Sequence, residues 1–464
     1  VTVSASVALP PAEPTAESAG LQRIAGIVAV LAAMAMVVLD ASMVNIAVPT
    51  LAANLAVPPS EALRVVSVYQ TALLMALLPC AALGGSFGNR RIFMMGVALF
   101  AVASIVAASV TSLTQLLVAR FLQGLGGAAI MALGVALLRQ ILPPNRIGAA
   151  IGWNALTVAL CSAGGPSLGA LVISLAGWHW LPLVHLPLAM IAFGATMMVK
   201  AMPGTGRAPD LVSMLLCVAA FASLMFGAEA LASKPALACL LLGASAVLFW
   251  KLVRREQRSR SPLIPLDLLR LRPFSLAVVA SICCFTGQVA AMLSLPFHLQ
   301  HAFRQTPLAT GLYMTSWPLS VALAALVAGR LSDRWPSWLL CAAGATLIAL
   351  GLVSAAMVPA EAGPVWLAVA IIPCGVGFGL FQVPNNRTMF LTAPVERSAA
   401  AGGMQGTARL TGQTMGAVLI TLLFALAPTA EAPIIGMVLG AAFAVLAAGV
   451  SALHATDKGE EHRG

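Results

Sequence analysis

Apolar residues run along this chain in long blocks, separated by short gaps that hold most of the charged side chains and many of the prolines. A helix rises 1.5 Å per residue, so about 20 apolar residues cross a hydrocarbon layer ~30 Å thick. By that measure the pattern predicts fourteen spanning helices, at 24–48, 63–83, 91–110, 113–138, 147–175, 181–199, 211–231, 235–252, 273–297, 308–330, 337–358, 364–386, 399–426 and 433–454. The pair 211–231 and 235–252 is the tightest fit, because Glu229 and Lys234 crowd its turn.

Composition turns this pattern into a solvent argument. The 464 residues are 60% hydrophobic and 9% charged, with a mean hydropathy of +0.97. Soluble domains carry roughly 25% charged residues, so a chain this poor in charge must face lipid. The net charge of +10 does not point to nucleic acid, because the basic residues sit in the gaps and form no stripe interleaved with aromatics. The eight cysteines fall almost wholly inside apolar blocks without metal-type spacing, and read as small packing residues. No metal site is expected. Residues 1–20 are rich in Ala, Pro and Ser and lack a basic start, so they read as a disordered tail and not as a signal peptide.

Lys and Arg then set the orientation. With the N-terminus inside, Arg90, Arg91, Arg139, Arg146, Lys200 and Arg207 share the cytoplasmic side. Lys251, Arg254, Arg255, Arg258, Arg260, Arg270, Arg272, Arg330, Arg334, Arg387 and Arg397 join them, against only Arg64, Lys234 and Arg304 opposite. This predicts a multi-pass protein of a bacterial cytoplasmic (inner) membrane with both termini in the cytoplasm.

A repeat organises the spans. At an offset of 251 residues, Gly124 meets Gly375, Gly126 meets Gly377, Arg146 meets Arg397, Gly152 meets Gly403 and Gly165 meets Gly416. Duplicated halves are common in secondary transporters. The expected division is a tail at 1–20, a six-helix bundle at 21–200, two extra helices and a basic linker at 201–260, a second six-helix bundle at 261–456, and a tail at 457–464.

At this point the residues resemble the major facilitator superfamily, in its fourteen-span drug:proton antiporter branch. LDASMVNIAVP (39–49) is similar to the branch's first-span signature, and LLVARFLQGLGGAA (116–129) fits its fourth-span motif with Arg120, Gln123, Gly124 and Gly126 in place. GGPSLGA (164–170) resembles the antiporter motif at Gly165, Pro166 and Gly169. The gating loop after the second span keeps Gly88, Arg90 and Arg91 but has Gly85 where the family places Asp. Its second-half counterpart retains Gly329, Asp333 and Arg334. The resemblance implies an all-α membrane protein with the major facilitator fold, two six-helix bundles plus two extra central helices, and export driven by protons.

Ionisable groups inside a span cost at least ~2.5–3.5 kcal/mol at its centre, which makes each a functional candidate. Asp40 lies nine residues before Pro49, about 13 Å deep, and Arg120 about 10 Å deep in a helix of the same bundle. Two roles fit the pair: Asp40 exchanging a proton for substrate with Arg120 tuning it, or a permanent ion pair that fixes helix packing. Arg409 falls near a span midplane without an evident carboxylate partner. Either carbonyls and Gln405 or Gln413 satisfy it, or it meets an acceptor on the substrate. Glu229 sits near a span end, where it either snorkels to water or touches substrate. Asn45, Tyr69, Gln70, Gln123, Asn154, Gln288 and Gln382 complete the candidate substrate lining. Asn385 and Asn386 read as structural, and His298 and His301 as surface residues of an outer loop.

No Gly-x-x-x-x-Gly-Lys-[Ser/Thr] motif occurs, so an ion gradient is the expected energy source and no cofactor is expected. The sequence thus reads as a monomeric, proton-coupled exporter of small amphipathic compounds working by alternating access in the lipid bilayer. The other reading within transporters is export of an anionic or zwitterionic metabolite, favoured by Arg409. No nucleophile–base set converges for an enzyme, and no charged ring or filter for a channel.

Overall fold

The computed structural model describes residues 16–453 apart from 203, 205, 207, 208, 232, 233, 258–265, 395 and 396. Tail residues 457–464 and the linker arginines Arg258 and Arg260 therefore lie outside the described residues. With no water in the bilayer core, a spanning segment must satisfy its own backbone, and among the described residues every span is helical. The helices are α1 (Ala16–Asn54), α2 (Pro59–Phe87), α3 (Asn89–Ser109), α4 (Leu113–Ile141), α5 (Pro144–Ala176), α6 (Leu186–Met197), α7 (Leu211–Ala230) and α8 (Pro235–Glu256). They continue with the single turn α9 (Leu266–Leu269), then α10 (Arg272–Phe297), α11 (Pro307–Met314), α12 (Ser316–Leu331), α13 (Ser337–Met357), α14 (Pro364–Thr392), α15 (Ser398–Leu426) and α16 (Ala432–Ala452). Taking α11 and α12 as one broken span, fourteen helical segments among the described residues are long and apolar enough to cross a membrane.

Several boundaries differ from the sequence expectation, each for a local reason. Helix α1 starts at Ala16, inside the stretch read as a tail. The sixth span opens with two 3-10 turns, Trp178–Trp180 and Pro182–His185, before α6 begins. Pro182 cannot donate to the α-helical ladder, which suits it to such a turn. The span of α10 runs on through a π-turn at His298–Ala302. His298 is consequently 5% exposed and buried, not on the surface as expected.

The repeat is visible in the packing. Helices α4 and α14 begin and end 251 residues apart, and α3 and α13 begin and end 248 apart. A β-carbon on Gly126 would lie 2.7 Å from the Gly96 carbonyl oxygen, and Gly377 makes the same close approach to Gly344. Gly124 backs onto α2 at Tyr69 as Gly375 backs onto α12 at Trp317. Gly165 meets Ser42 of α1 as Gly416 meets Thr286 of α10. The matched glycines are thus sites of helix contact, where a missing side chain lets two backbones touch.

Two faces follow from the loops: a basic face, with Arg90, Arg139 and Arg387, and a far face, with Arg64 and Arg304. On the far face, Met43, Val48 and Leu63 of the first bundle share one apolar cluster with Leu293, Phe297 and Ile420 of the second. Ser167 of α5 also lies 2.7 Å from Thr315, at the break between α11 and α12. On the basic face the cluster of Leu268, Phe274, Met389 and Ala401 belongs to the second half alone. The bundles are therefore sealed together on the far face, while α2 and α15 form their main contact elsewhere.

The inserted helices α7 and α8 pack on each other, and α7 rests on α2 and α15. Asp210 caps α7 by accepting from the Ser213 amide at 3.1 Å, and receives Arg255 at 2.9 and 3.0 Å. The Arg255 hydrogen bonds hold the Asp210 carboxyl down at about 2.

Gly126→Val should lower the midpoint of thermal unfolding in detergent, at a cost of about 1–3 kcal/mol, because the Gly96 and Phe100 backbones face the new side chain. Gly85→Ala should leave the midpoint unchanged, since nothing stands within 4 Å of the added carbon.

Candidate functional site

Five elements of the first bundle converge on one buried polar cluster. Asp40 on α1 is 1% exposed and Arg120 on α4 is 3% exposed. Nη1 of Arg120 donates to both carboxylate oxygens of Asp40, at 2.8 and 2.7 Å. The same nitrogen reaches Gln123 Oε1 at 2.9 Å, and Arg120 Nε donates to the Val65 carbonyl of α2 at 3.2 Å. Gln123 in turn donates to Ser104 of α3 at 2.8 Å, and Ser104 to the Phe100 carbonyl. The Tyr69 ring lies beneath the guanidinium, 4.3 Å from it, which adds a cation–π contact.

The sequence places Asp40 and Arg120 at matching depth, and the structure puts them in direct contact. The cause is local: small residues on α4 let it close on α2 and α3, so that Arg120 is held against α1 without room to leave. A buried pair of this kind persists because its remaining hydrogen-bonding capacity is also met, here by Gln123 and Val65.

His185 was not among the sequence candidates, yet it belongs to this cluster. It closes the second 3-10 turn, is 1% exposed, and brings Nδ1 to 3.8 Å from Asp40 Oδ1. Nδ1 is also 3.2 Å from the Pro182 carbonyl, Nε2 is buried without a partner, and the ring stands edge-on to Phe100. The signal that finds it was available: a histidine within the apolar stretch LPLVHLPLAM (181–190) falls under the same rule that singled out Asp40.

The other candidates divide into groups. Tyr69 and Gln70 are buried on α2, and the Tyr69 hydroxyl and Gln70 Oε1 have no hydrogen-bond partner. Thr414 of α15 donates to the Gln70 carbonyl at 3.3 Å, so this position lies at the junction of the bundles. Asn45, Gln288 and Gln382 are half-buried, and Asn154 has an unpartnered buried oxygen. Glu229 instead pairs with Arg64 at 2.6 Å, tying α7 to the start of α2. Gly165 and Gly169 pack α5 on α1, and the Pro166 carbonyl abuts Gly311 of α11.

Arg409 is half-buried and makes no hydrogen bond or ion pair among the described residues. Gln405 makes no hydrogen bond with it, and its amide nitrogen donates to Asn386 at 3.2 Å. On α15, Gly406 and Thr414 face α2, while Gly412 and Gly416 face α10. Helical spacing puts Arg409 and Gln413 between those two faces, toward the space between the bundles. Asn385 donates to the Ala277 carbonyl at 3.2 Å, in a structural role.

The two loops expected to gate differ as their sequences do. In the second half Asp333 accepts from Arg387 at 2.7 Å. Gly85 precedes Asp333 by the same 248 residues that separate α3 from α13, and Arg139 at the end of α4 has no partner among the described residues. There Arg90 donates instead to the carbonyls of Thr196 and Met197, both at 2.9 Å. Gly88, with φ of 101°, lets the chain turn tightly beside Met202. Arg91, Gly329 and Arg334 are exposed.

Two helical bundles that repeat each other's packing, with fourteen apolar spans among the described residues and a charge pair buried inside the first bundle, have the architecture of a membrane transport protein. The chain belongs to the Major Facilitator Superfamily, whose family model matches residues 30–417. It is a transporter and not an enzyme. It is 39% identical to an uncharacterized transporter, YebQ, of Escherichia coli, over 87% of this chain and 89% of the relative. It is 27% identical to the riboflavin transporter RibZ of Clostridioides difficile, over 83% and 85%. It is 28% identical to the tetracenomycin C resistance and export protein of Streptomyces glaucescens, over 86% and 75%. The fold is shared with a solved POT family transporter in complex with a thioalcohol-conjugated peptide, at a TM-score of 0.70, 14% identity and 96% coverage of both chains.

Arg120→Gln strands a buried carboxylate and should destabilise the protein by about 3–5 kcal/mol, read as a fall in the unfolding midpoint. Adding Asp40→Asn to that variant should recover much of the loss, since the stranded charge is then removed.

Proposed function

We propose that this protein is a proton-coupled exporter of small amphipathic compounds, with Asp40 as the proton-carrying group and Arg120 as its modulator. The observation that carries the reading is the sealed ion pair inside the first bundle of a transporter fold. In a low-dielectric interior, adding a proton to Asp40 removes the partner of Arg120 and changes the attraction between α1 and α4. A group of this kind can bias which face of the transporter is open, which is what coupling requires. With the far face sealed, the basic face is the side from which an exporter would load its cargo. The Lys and Arg distribution supports placing that face in the cytoplasm of a bacterial inner membrane, with both termini inside. The names of the relatives favour export: one is a resistance and export protein, and a multidrug resistance protein, Stp, of Mycobacterium tuberculosis is 30% identical over 84% of this chain. A monomer suffices, since each chain holds both bundles.

A second reading rests on Arg409. A cation without a counter-charge, set toward the space between the bundles, favours a substrate with a carboxylate or other anionic group. In that case the cargo is an anionic or zwitterionic metabolite, still coupled to protons.

Expression in an efflux-deficient host, with and without a collapsed proton gradient, tests both. Asp40→Asn should abolish gradient-dependent efflux per amount of protein found in the membrane; retained coupled transport would sink the assignment. On the second reading, Arg409→Gln lowers kcat/KM for a carboxylated substrate about tenfold or more and spares quaternary ammonium dyes.

A further inference from the structure

The Asp40–Arg120 pair presents a delivery problem. Both carboxylate oxygens face Arg120 Nη1, and Asp40 is 1% exposed, so no open water path reaches it. Helix α1 brings Asp40, α4 brings Arg120 and α2 brings the Tyr69 hydroxyl to this point. Helices α3 and α6 bring no titratable side chain to it, and His179 of the first 3-10 turn is stacked on Trp178. On α5, the main neighbour of α1, Cys161 lies opposite Ser42, and the titratable group that reaches Asp40 itself is His185.

The imidazole is set up in a particular way. A carbonyl can only accept, so the 3.2 Å contact with Pro182 assigns the proton of the neutral ring to Nδ1. Nε2 then carries a lone pair, and it is buried without a partner. The same Nδ1–H that holds Pro182 is 3.8 Å from Asp40 Oδ1. His185 belongs to the 3-10 segment that enters the span from the far face, where hydrogen-bond geometry is poorer than in an α-helix. A shift of that turn by about 1 Å exchanges the carbonyl for the carboxylate as partner of Nδ1.

We propose that His185 is the proton relay of this site: when the far-face seal opens, Nε2 accepts a proton from water entering there and Nδ1 passes its own to Asp40 Oδ1. An N–H bond forms at Nε2, the Nδ1–H bond breaks and an O–H bond forms on Asp40, which leaves the ring neutral as its other tautomer. Rotation of the ring, or the reverse passage, resets it. The inference rests on the reading of Asp40 as the proton-carrying group.

The test needs no substrate. The purified full chain in lipid nanodiscs is taken through a rapid pH drop, and the carboxyl stretch of protonated Asp40 is followed by time-resolved infrared spectroscopy, assigned by its loss in Asp40→Asn. His185→Phe removes the relay. His185→Asn keeps an N–H that can hold the Pro182 carbonyl but cannot accept a proton. Both variants should reach the wild-type band amplitude, at a rate slower by about tenfold or more. A wild-type rate in His185→Asn overturns the relay, and together with a slow His185→Phe it leaves only a positioning role. If the wild-type protein shows no band that Asp40→Asn removes, the assignment of Asp40 itself fails and the relay with it.

Discussion

A carboxylate and a guanidinium sealed among apolar helices set the terms for the first bundle. Neither ion can be held alone in such a medium, and together they are tolerated only when every remaining donor and acceptor is met. That requirement fixes the positions of four helices at once. Helix α1 must present Asp40 and α4 must present Arg120, α2 must offer the Val65 carbonyl, and α3 must offer Ser104 to hold Gln123. The glycines of α4 are the means, because they let its backbone lie directly on α2 and α3. The ion pair and the close packing are therefore one constraint seen from two sides.

The two halves share their packing but not their charges. Glycine contacts recur at Gly124 and Gly375, and at Gly126 and Gly377, so the backbone scaffold has been kept through the duplication. The polar chemistry has not. The first half holds a satisfied interior pair and lacks the carboxylate of its gating loop at Gly85. The second half keeps Asp333 paired to Arg387 and carries Arg409 without a partner. The duplication has thus kept an even packing frame while the charges set into it have diverged.

Much of this was legible in the sequence, and the reasons are physical. Spans were readable because lipid imposes length and composition on every one of them. The repeat was readable because close helix contacts tolerate only glycine, which leaves a register that can be matched. Asp40 and Arg120 were readable because buried charge is rare. His185 was missed because its neutral ring was not counted as an ionisable intruder. His298 was misplaced because a π-turn carried the span beyond its apolar block. The partner of Glu229 was hidden for another reason: Arg64 lies 165 residues away, and nothing in a single sequence marks which helices become neighbours.

The Arg64–Glu229 pair also bears on how the inserted helices take part. Helix α7 touches α2 and α15, the helices through which the two bundles make their main contact outside the far-face seal. At the far face it is bound to α2 by an ion pair of which Glu229 is mostly buried, whereas its contact with α15 is apolar, as where Phe221 shares a small cavity with Thr407, Ala408 and Thr411. A directional charged bond resists sliding more than an apolar contact does, because its partners must separate before anything moves. The inserted pair is thus tied to the first bundle by a charged contact that α15 does not share, and α7 meets α15 beside the contact of α2 with α15.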